Sequence, residues 1–293
     1  MIIVKLMGGL GNQMFQYATA KALALKHGVD VKVDVSYLNE NAKGNYTQRN
    51  FDLDTFEKPV NIASKDEINT FLRKADNKLS RFIHRKFPFL FSSLRAVESG
   101  SPYHSEFEKY PKNTYLEGFW QSELYFKRYE TDIRNDFKFK QNIIDKNLQI
   151  SSLISNTESV SVHVRRGDYI KNAESNKFHG VCSLNYYYKA IEHIANLKPN
   201  IELFIFSDDI EWCKNNFSFK YPVHFMETND AYSDLYLMSK CKHNIIANSS
   251  FSWWGAWLNT NSNKIVIAPK QWIANTSVNT KDIIPSSWIK LPN

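Results

Sequence analysis

Several features that define common protein classes are missing from this sequence. Its 293 residues include only three cysteines, none in a CxxC pair, which excludes a disulfide framework and favours a reducing compartment. Ten glycines and nine prolines are too few for a collagen-like or low-complexity chain. No apolar run approaches the roughly 18 residues of a membrane-spanning helix. Residues 1–6 lack the basic start of a signal peptide, so we expect a soluble, cytoplasmic protein.

The chain also lacks the short motifs of several catalytic classes. It has no HExxH or HxH motif and no paired cysteines, so we predict no zinc site. The absence of GxxxxGK(S/T) excludes a P-loop, and no GxSxG nucleophile motif occurs. Asp52 and Asp54 form a DxD pattern, which can hold a divalent cation beside a diphosphate. Because apolar residues alternate around them, a strand edge with two solvated carboxylates is the favoured interpretation.

What is present is the composition of a globular protein. Apolar residues make up 43% of the chain. At about 150 residues per domain, the length predicts two domains. Lysine and arginine exceed aspartate and glutamate by 37 − 30 = 7 charges, which favours an anionic partner. A phosphate-bearing substrate, an acidic membrane surface and nucleic acid all fit that charge, and net charge does not choose between them.

Strands and helices alternate along the sequence, which indicates an α/β fold. Residues 2–6 are an apolar run typical of a buried parallel strand, a glycine-rich turn follows, and residues 13–27 have helical spacing that Gly28 ends. The alternation resumes from residue 159 and predicts a second parallel sheet. Residues 151–157 are rich in serine and asparagine and resemble a linker. We therefore predict domains at 1–150 and 151–293.

Three polar clusters each follow a predicted strand of the second half. In an open parallel sheet the carboxyl ends of the strands share one edge, and ligands bind at that edge. We therefore expect the three clusters to converge, although they are far apart in the sequence. Their candidate binding residues are His163, Arg165, Arg166, Asp208, Asp209, Ser249, Ser250 and Phe251.

The chemistry of these clusters suits a phosphate group. Residues 248–250 (NSS) precede an amphipathic run as a helix N-cap does, and the free N–H groups of a helix start bind phosphate. Arg165 and Arg166 each carry a planar fork that fits phosphate oxygens. Because adjacent strand residues point to opposite faces, we expect one arginine to enter the site and the other to brace it. His163 shares the face of Arg165.

The N-terminal turn is a fourth candidate site. Residues 8–11 (GGLG) lie between a strand and a helix, as in a dinucleotide fingerprint, with Asp34 as the acid about 20 residues further on. Met14 stands where that fingerprint needs glycine or alanine, so the match is incomplete. Asn12 and Gln13 instead offer amide donors at a helix start. A nicotinamide-dependent oxidoreductase is the rival function that this turn suggests.

Long motifs in a fixed order resemble one enzyme family. They are residues 7–17 (MGGLGNQMFQY), 118–122 (GFWQS), 163–169 (HVRRGDY), 207–209 (SDD) and 248–257 (NSSFSWWGAW). These motifs are similar to those of glycosyltransferase family 11, which consists mainly of bacterial and animal α-1,2-fucosyltransferases. The resemblance implies two Rossmann-like domains in a GT-B variant, with parallel sheets and an interdomain cleft. It also implies GDP-β-L-fucose as the donor substrate and no requirement for a metal or cofactor.

The resemblance further implies roles in donor binding. Arg165 would grip the donor diphosphate, and His163 would lie near guanine. Asp234 would read the N1/N2 edge of guanine, and Asn12 would reach the diphosphate from the first domain.

The remaining donor residues lie at the strand ends and the helix start. Ser249, Ser250 and the N–H of Phe251 would hold phosphate, while Asp208 and Asp209 would lie near the nucleotide. Without a metal, the charge of the departing diphosphate must be stabilised by cations and N–H donors. The reaction would be a single displacement with inversion.

The motifs specify the general base and the acceptor contacts less closely than they specify the donor-binding residues. Asp168 is placed to accept the acceptor proton, or alternatively to form a salt bridge with Arg166. Glu174 resembles, by its offset, the base of α-1,6-fucosyltransferase relatives, and a base is unnecessary if departure of GDP precedes attack. Acceptor recognition is predicted for the first domain and for residues 118–121 (GFWQ), because aromatic faces stack on sugars and polar side chains bind hydroxyls. The candidate acceptor contacts are Trp120, Gln121 and Glu174.

The leading hypothesis is therefore α-1,2-transfer of L-fucose to a terminal β-galactoside, on an oligosaccharide or a lipid-linked glycan. Transfer with another linkage is one alternative, because a shifted acceptor changes the linkage. A binding protein for nucleic acid or anionic glycan is the alternative from another class, although no nucleic-acid module is recognisable and we predict no nucleic-acid partner. We expect peripheral association with the inner face of the membrane through basic charge. The sequence leaves the oligomeric state open.

Overall fold

The computed structural model describes residues 1–39, 49–72, 94–100, 102–167, 177–178, 180–228, 230–275 and 277–293. The chain divides into two units. The first consists of Met1–Lys138 with Lys281–Ile283, and the second consists of Phe139–Thr280 with Ile284–Asn293. Each unit contains a parallel sheet, so the chain is mixed α/β, as the alternation of strands and helices predicts.

The described sheet of the first unit has four parallel strands in the order β2-β1-β4-β3. They are β1 (Ile2–Lys5), β2 (Val31–Asp34), β3 (Leu94–Val97) and β4 (Thr114–Glu117). The helices are α1 (Leu10–His27), α2 (Ser36–Asn39), α3 (Lys65–Leu72) and α4 (Glu130–Asp136). Short 3₁₀ turns occupy Leu53–Thr55, Ser105–Lys109, Glu123–Tyr125 and Lys127–Tyr129.

Helix α1 is the long helix that follows the glycine-rich turn. It begins at Leu10, three residues before its predicted start, and it ends where Gly28 adopts a left-handed conformation with φ of 61°. The N–H of Gly28 then reaches the carbonyls of Ala24 and Leu25, which closes the helix as the glycine predicts. Burial of apolar residues such as Met14 and Phe15 fixes α1 against β1.

The described sheet of the second unit has six parallel strands in the order β10-β9-β8-β5-β6-β7. They are β5 (Glu158–Val164), β6 (Ile201–Ser207), β7 (Val223–Phe225), β8 (His243–Ile245), β9 (Val266–Pro269) and β10 (Ile289–Leu291). The helices are α5 (Gln141–Lys146), α6 (Leu148–Asn156), α7 (Leu184–Leu197), α8 (Ile210–Asn216), α9 (Ala231–Lys240) and α10 (Ser250–Leu258).

Two helices show why this sheet is stable. Helix α7 begins directly after Ser183, whose side chain accepts a hydrogen bond from the N–H of Tyr186 and so caps the helix. Helix α10 buries Trp253, Trp254 and Trp257, which their helical spacing predicts as core.

No helix in the described ranges is long and apolar enough to span a membrane.

The linker prediction is wrong. Residues 151–157 belong almost entirely to α6, and the two units divide earlier, between Lys138 and Phe139. Ile154 anchors α6 by complete burial, and the Ser155 hydroxyl donates to the carbonyl of Ser151 over 2.8 Å. Serine hydroxyls that bond to helix carbonyls are compatible with a helix, so serine content alone was a misleading signal here.

The DxD segment is also not a strand. Residues 53–55 form a 3₁₀ turn in which Leu53 and Thr55 are buried. The N–H of Asp52 donates to Oε1 of Gln13 over 3.0 Å, which fixes the turn to helix α1. In so short a segment, a 3₁₀ turn and a strand can each bury every second side chain. The alternation of apolar residues therefore does not distinguish the two structures here. Asp54 is exposed, as predicted.

Candidate functional site

The second sheet brings two of the three predicted clusters into direct contact. Arg165, just after β5, places Nη1 2.8 Å from Oδ2 of Asp208, just after β6. The backbone N–H of Arg166 donates to Oδ1 of the same carboxylate over 2.9 Å. Since β5 and β6 are parallel neighbours, their ends carry these groups to one edge of the sheet. One carboxylate therefore holds both the guanidinium and the backbone of the loop after β5.

The Asp208 carboxylate is held in its charged form. Burial raises its pKa, but the Arg165 guanidinium and the N–H groups of Gly167 and Arg166 outweigh burial and hold the pKa below its usual value. The close approach requires glycine at position 167, because a Cβ there would lie 2.7 Å from Oδ2 of Asp208.

Arg166 contacts a different set of partners. Its guanidinium carbon lies 3.5 Å from the centre of the Trp212 ring, and its Nε lies 3.3 Å from Oδ2 of Asp209. Asp209 also caps α8, because its Oδ1 accepts from the N–H of Trp212 over 3.3 Å. These contacts make Arg166 a brace, in line with the expectation that the two arginines differ in role. They also give Asp209, which the resemblance places near the nucleotide, a structural role.

His163 is a buried neutral imidazole at the same edge, only 5% exposed. Burial, aided by the Arg165 charge and opposed by Asp208, lowers the pKa of His163 to about 4, so the ring is uncharged at pH 7. Its ring centre lies 5.7 Å from that of Phe251 in α10. In the described part of the chain, Nδ1 of His163 is buried without a hydrogen-bond partner. Such an atom costs free energy until a ligand or water satisfies it.

The third cluster forms the start of α10. Ser249 is the N-cap residue, as predicted, but within the described residues its side chain makes no capping hydrogen bond. The first turn contains no acidic residue. Asn248 is buried and structural, since its Nδ2 donates to the carbonyls of Gly180 and Trp272 over 3.2 and 3.3 Å. The positive end of α10 is therefore uncompensated by its own side chains, which suits an anion.

Asp234 lies in the first turn of α9. Its Oδ1 accepts from the Thr228 hydroxyl over 2.5 Å. Burial raises the pKa of Asp234 to about 6, with Thr228 opposing the rise and Asp230 adding to it. Asp230 caps α9 and pairs with Lys146 at 3.3 Å.

In the first unit, two predicted amides meet at the ends of β1 and β4. Nε2 of Gln121 donates to Oδ1 of Asn12 over 2.7 Å. Gly8 has φ of 76°, and a Cβ there would lie 2.5 Å from Nδ2 of Asn12. Glycine at position 8 thus leaves room for the Asn12 amide against the turn. The hydrogen bond from Gln121 then orients that amide.

Two other groups of the N-terminal turn are structural. Gln13 is fully buried, and its Nε2 donates to the carbonyls of Gly8 and Asn50 over 2.9 and 2.7 Å, so its amide is already used internally. Asp34 is also buried and accepts from the Tyr115 hydroxyl over 2.6 Å. The dinucleotide interpretation therefore lacks an available acid.

Trp120 does not fit the predicted role of a sugar-stacking residue. Its side chain is fully buried, with ring centres 5.3 Å from Tyr125 and 6.2 Å from Phe107. Both ring faces are thus engaged in the core of the first unit. The neighbouring Phe119 is 45% exposed instead. Sequence spacing could not distinguish the two aromatics, because the choice depends on the turn that follows β4.

Two predicted site residues, Asp168 and Glu174, lie outside the described residues. Within the described ranges, no group of three or more His, Cys, Asp or Glu side chains is arranged to hold a metal ion.

The sequence reasoning missed Trp212 and Glu98. A cap at Asp209 predicts Trp212 in the first turn of a helix, so that signal was available. Glu98 is distant in sequence from the turn that it contacts, at Phe119 and Trp120, and no local pattern indicates it.

The bracing contacts of Arg166 generate a prediction. We expect Arg166→Ala to lower the free energy of unfolding by about 1 kcal/mol, because it removes the stacking on Trp212 and a partly exposed ion pair. Arg128→Ala is the matched control: Arg128 is exposed, and its guanidinium lies 5.9 Å from the Tyr129 ring centre. That control should change stability by less than about 0.5 kcal/mol. Chemical denaturation of both variants is the measurement, and equal stability of Arg166→Ala and wild type would contradict the brace.

Comparison with known proteins identifies the family of this chain. The model of glycosyl transferase family 11 matches residues 1–292. The chain is 38% identical to alpha-1,2-colitosyltransferase of Escherichia coli, over 99% of this chain and 98% of that protein. It is 36% identical to O-antigen biosynthesis glycosyltransferase WbnK of Escherichia coli, over 98% and 99%. The fold is similar to that of a mutant of Arabidopsis thaliana FUT1 in complex with GDP, with a TM-score of 0.55, 12% identity, and coverage of 98% of this chain and 75% of that one. The chain therefore belongs to glycosyl transferase family 11.

Proposed function

We propose that this protein is an inverting, metal-independent α-1,2-fucosyltransferase. It transfers L-fucose from GDP-β-L-fucose to the 2-hydroxyl of a terminal β-galactoside. The observation that carries the proposal is the whole-chain family match, since glycosyl transfer is the chemistry of that family. The proposal includes the expectation that the two units are Rossmann-like and form a GT-B variant.

The donor nucleotide is proposed to bind at the carboxyl edge of the second sheet. Arg165 contacts the diphosphate, and Asp208 positions Arg165 through the 2.8 Å ion pair. The N–H groups at the start of α10, with Ser249 and Ser250, bind a phosphate oxygen. The orphaned Nδ1 of His163 supports a ligand at this edge and fits a place beside guanine.

Two further contacts to the donor are proposed away from that edge. Asp234 accepts hydrogen bonds from N1–H and the 2-amino group of guanine, for which its carboxylate must be ionised. Asn12 donates through Nδ2 to the diphosphate, because its Oδ1 is occupied by Gln121.

The reaction is a single displacement. The acceptor oxygen bonds to C1 of fucose as the bond from C1 to the diphosphate oxygen breaks, and the electron pair leaves with GDP. Arg165 and the start of α10 stabilise the charge that develops on the leaving group. Attack from the opposite face converts a β-linked donor into an α-fucoside. Asp168 is the proposed acceptor of the hydroxyl proton, with Glu174 as the alternative.

The acceptor is proposed to be a β-galactoside-terminated oligosaccharide or lipid-linked glycan. Similarity to an O-antigen biosynthesis glycosyltransferase supports a glycan of that class. A net charge of +7 supports peripheral association with an anionic membrane surface, where a lipid-linked acceptor would lie.

A second donor is favoured by one specific observation, the 38% identity to an alpha-1,2-colitosyltransferase. Colitose differs from fucose by lacking the 3-hydroxyl, so both donors can present the same nucleotide diphosphate. A site that hydrogen-bonds the 3-hydroxyl strongly rejects the deoxy sugar, whereas an apolar wall discriminates weakly. Donor preference is therefore decided by contacts to one hydroxyl.

The test of the proposal is turnover of GDP-fucose and GDP-colitose with lactose, in EDTA, with the product linkage read by NMR. We expect an α-1,2-fucosyl product at a rate that EDTA does not reduce, because charge stabilisation comes from the protein. Faster turnover of GDP-colitose would select the second donor. Absence of GDP binding by calorimetry would reject the nucleotide site altogether, and a rate abolished by EDTA and restored by Mg²⁺ would reject metal independence.

The two adjacent arginines give a sharper prediction. We expect Arg165→Ala to lower kcat by on the order of 10²–10³, because it removes a donor to the leaving diphosphate. Arg166→Ala is the control at the next position and should retain kcat while losing stability. Steady-state kinetics below the melting temperature of both variants is the measurement. An equal loss of kcat in both would refute the division of roles.

The raised pKa of Asp234 gives a pH prediction. The ionised carboxylate is the form that binds guanine, so affinity for GDP should fall as pH decreases through about 6. The terminal phosphate of GDP titrates in a similar pH range. Asp234→Asn removes the carboxylate and leaves the titration of that phosphate unchanged, so the difference between variant and wild type isolates the contribution of Asp234. The variant should bind GDP more weakly at pH 7.5 and lose the part of the pH dependence that is due to Asp234. Identical pH profiles by calorimetry would exclude Asp234 from guanine binding.

A further inference from the structure

The turn after β4 contains two residues in unusual backbone conformations. Gly118 has φ of 153° and Trp120 has φ of 54°, on either side of Phe119. A positive φ is uncommon for a bulky residue such as tryptophan and costs free energy. Backbone strain of this kind persists only where surrounding contacts enforce it, and it concentrates at functional sites.

Glu98 supplies those contacts. It follows β3, the neighbour of β4, and its Oε2 accepts from the N–H of Phe119 over 2.7 Å. Both carboxylate oxygens lie 3.0 Å from the N–H of Trp120. Gly118 allows this approach, because a Cβ there would lie 2.3 Å from Cβ of Glu98. A single carboxylate thus satisfies two consecutive backbone donors of the strained turn.

The turn is anchored on one side and exposes an aromatic ring on the other. Trp120 is fully buried against Tyr125, which fixes the turn to the core of the first unit. Phe119 is 45% exposed beside it. Gln121, next in the chain, extends its amide to Asn12. The strained conformation therefore has a definite result, which is the display of the Phe119 ring at the carboxyl edge of the sheet.

The charges around the turn fit a neutral ligand. The group beneath the turn is the Glu98 carboxylate, and the cations on β1 and β3, Lys5 and Arg95, both pair with Glu117 at 3.4 and 2.7 Å. The exposed aromatic ring between these paired charges suits a neutral sugar, whose C–H face stacks on aromatic rings. The first unit thus offers acceptor chemistry at this turn.

We propose that Phe119 contacts the acceptor sugar and that Glu98 is the positioning residue that holds Phe119 in place. The inference rests on the proposed function and deepens it, because it assigns the acceptor contact to Phe119 in place of the buried Trp120. Glu98 acts through the backbone of the turn and does not itself touch the acceptor.

The first experiment compares acceptor and donor kinetics of Phe119→Ala. We expect the KM for lactose to rise about tenfold, as loss of one aromatic contact does, with the affinity for GDP unchanged. Phe119→Trp, which keeps an aromatic face, should restore the acceptor KM. Leu197→Ala is the matched control, since Leu197 is 58% exposed and is the last residue of α7 in the second unit. An unchanged acceptor KM, or an equal loss of GDP affinity, overturns the assignment.

The second experiment separates positioning from contact. Oε2 of Glu98 accepts from both N–H groups, so a glutamine could keep both hydrogen bonds, and the informative variant is Glu98→Ala. Glu98→Ala removes both acceptor oxygens, so it should raise the acceptor KM with little change in kcat or GDP affinity. Because Glu98 acts through Phe119, the double variant should have the acceptor KM of Phe119→Ala alone. Glu106→Ala, at an exposed carboxylate paired with Lys109, is the control and should have no effect.

The outcomes distinguish this inference from the function on which it rests. A wild-type protein that binds no GDP overturns the proposed function and the inference with it. An active wild type with additive Glu98 and Phe119 effects overturns the positioning role alone. An active wild type with unchanged acceptor KM in Phe119→Ala overturns the contact.

Discussion

The parallel direction of the strands is the constraint on which the candidate donor site depends. Because β5 and β6 run the same way and are hydrogen-bonded neighbours, the loops that follow them emerge together. Arg165 and Asp208, 43 residues apart, therefore meet as an ion pair without any local sequence relation. An antiparallel arrangement would place the two loops at opposite edges. Strand direction thus brings the two loops together, and the side chains on those loops determine the chemistry of the site.

Helix starts in the second unit show where the structure leaves polar groups unsatisfied. Ser183, Asp209 and Asp230 cap α7, α8 and α9 with their side chains. Ser249 has a suitable side chain, yet the described contacts of α10 include no such cap. The buried Nδ1 of His163 lacks a partner close to the same helix. Among the described contacts, helices α5 and α6 also begin without a side-chain cap, so a free helix start alone does not indicate a site. The combination with the orphaned Nδ1 of His163 favours a ligand beside α10, because folding gains nothing from leaving a buried polar atom unpaired.

The sequence predicted the regular parts of this fold well and the irregular parts poorly. The alternation that resumes at residue 159 located the start of β5 within one residue, and the N-cap pattern at residues 248–250 located the start of α10, because buried strands and helix starts have distinct patterns. Residues 151–157 were misread, because hydroxyls can bond either to solvent or to helix carbonyls. The burial of Trp120 was equally hidden, since it depends on the conformation of the turn after β4, whose N–H groups bond to Glu98 after β3. Local sequence patterns predict helices and strands, whereas contacts between loops that are distant in the sequence can be identified only once the fold is known.

Net charge is a poor guide to this site, and local pairing is a better one. The excess of seven positive charges predicts an anionic partner somewhere, but Arg166 stacks on Trp212 and is not free for one. Arg165 is paired as well, yet its partner Asp208 fixes its direction and leaves the guanidinium preorganised at the sheet edge. Preorganised charge stabilises a transition state without further rearrangement, which an unconstrained surface cation cannot do. The two adjacent arginines therefore differ because Asp208 holds Arg165 at the sheet edge, whereas Asp209 and Trp212 hold Arg166 as a brace.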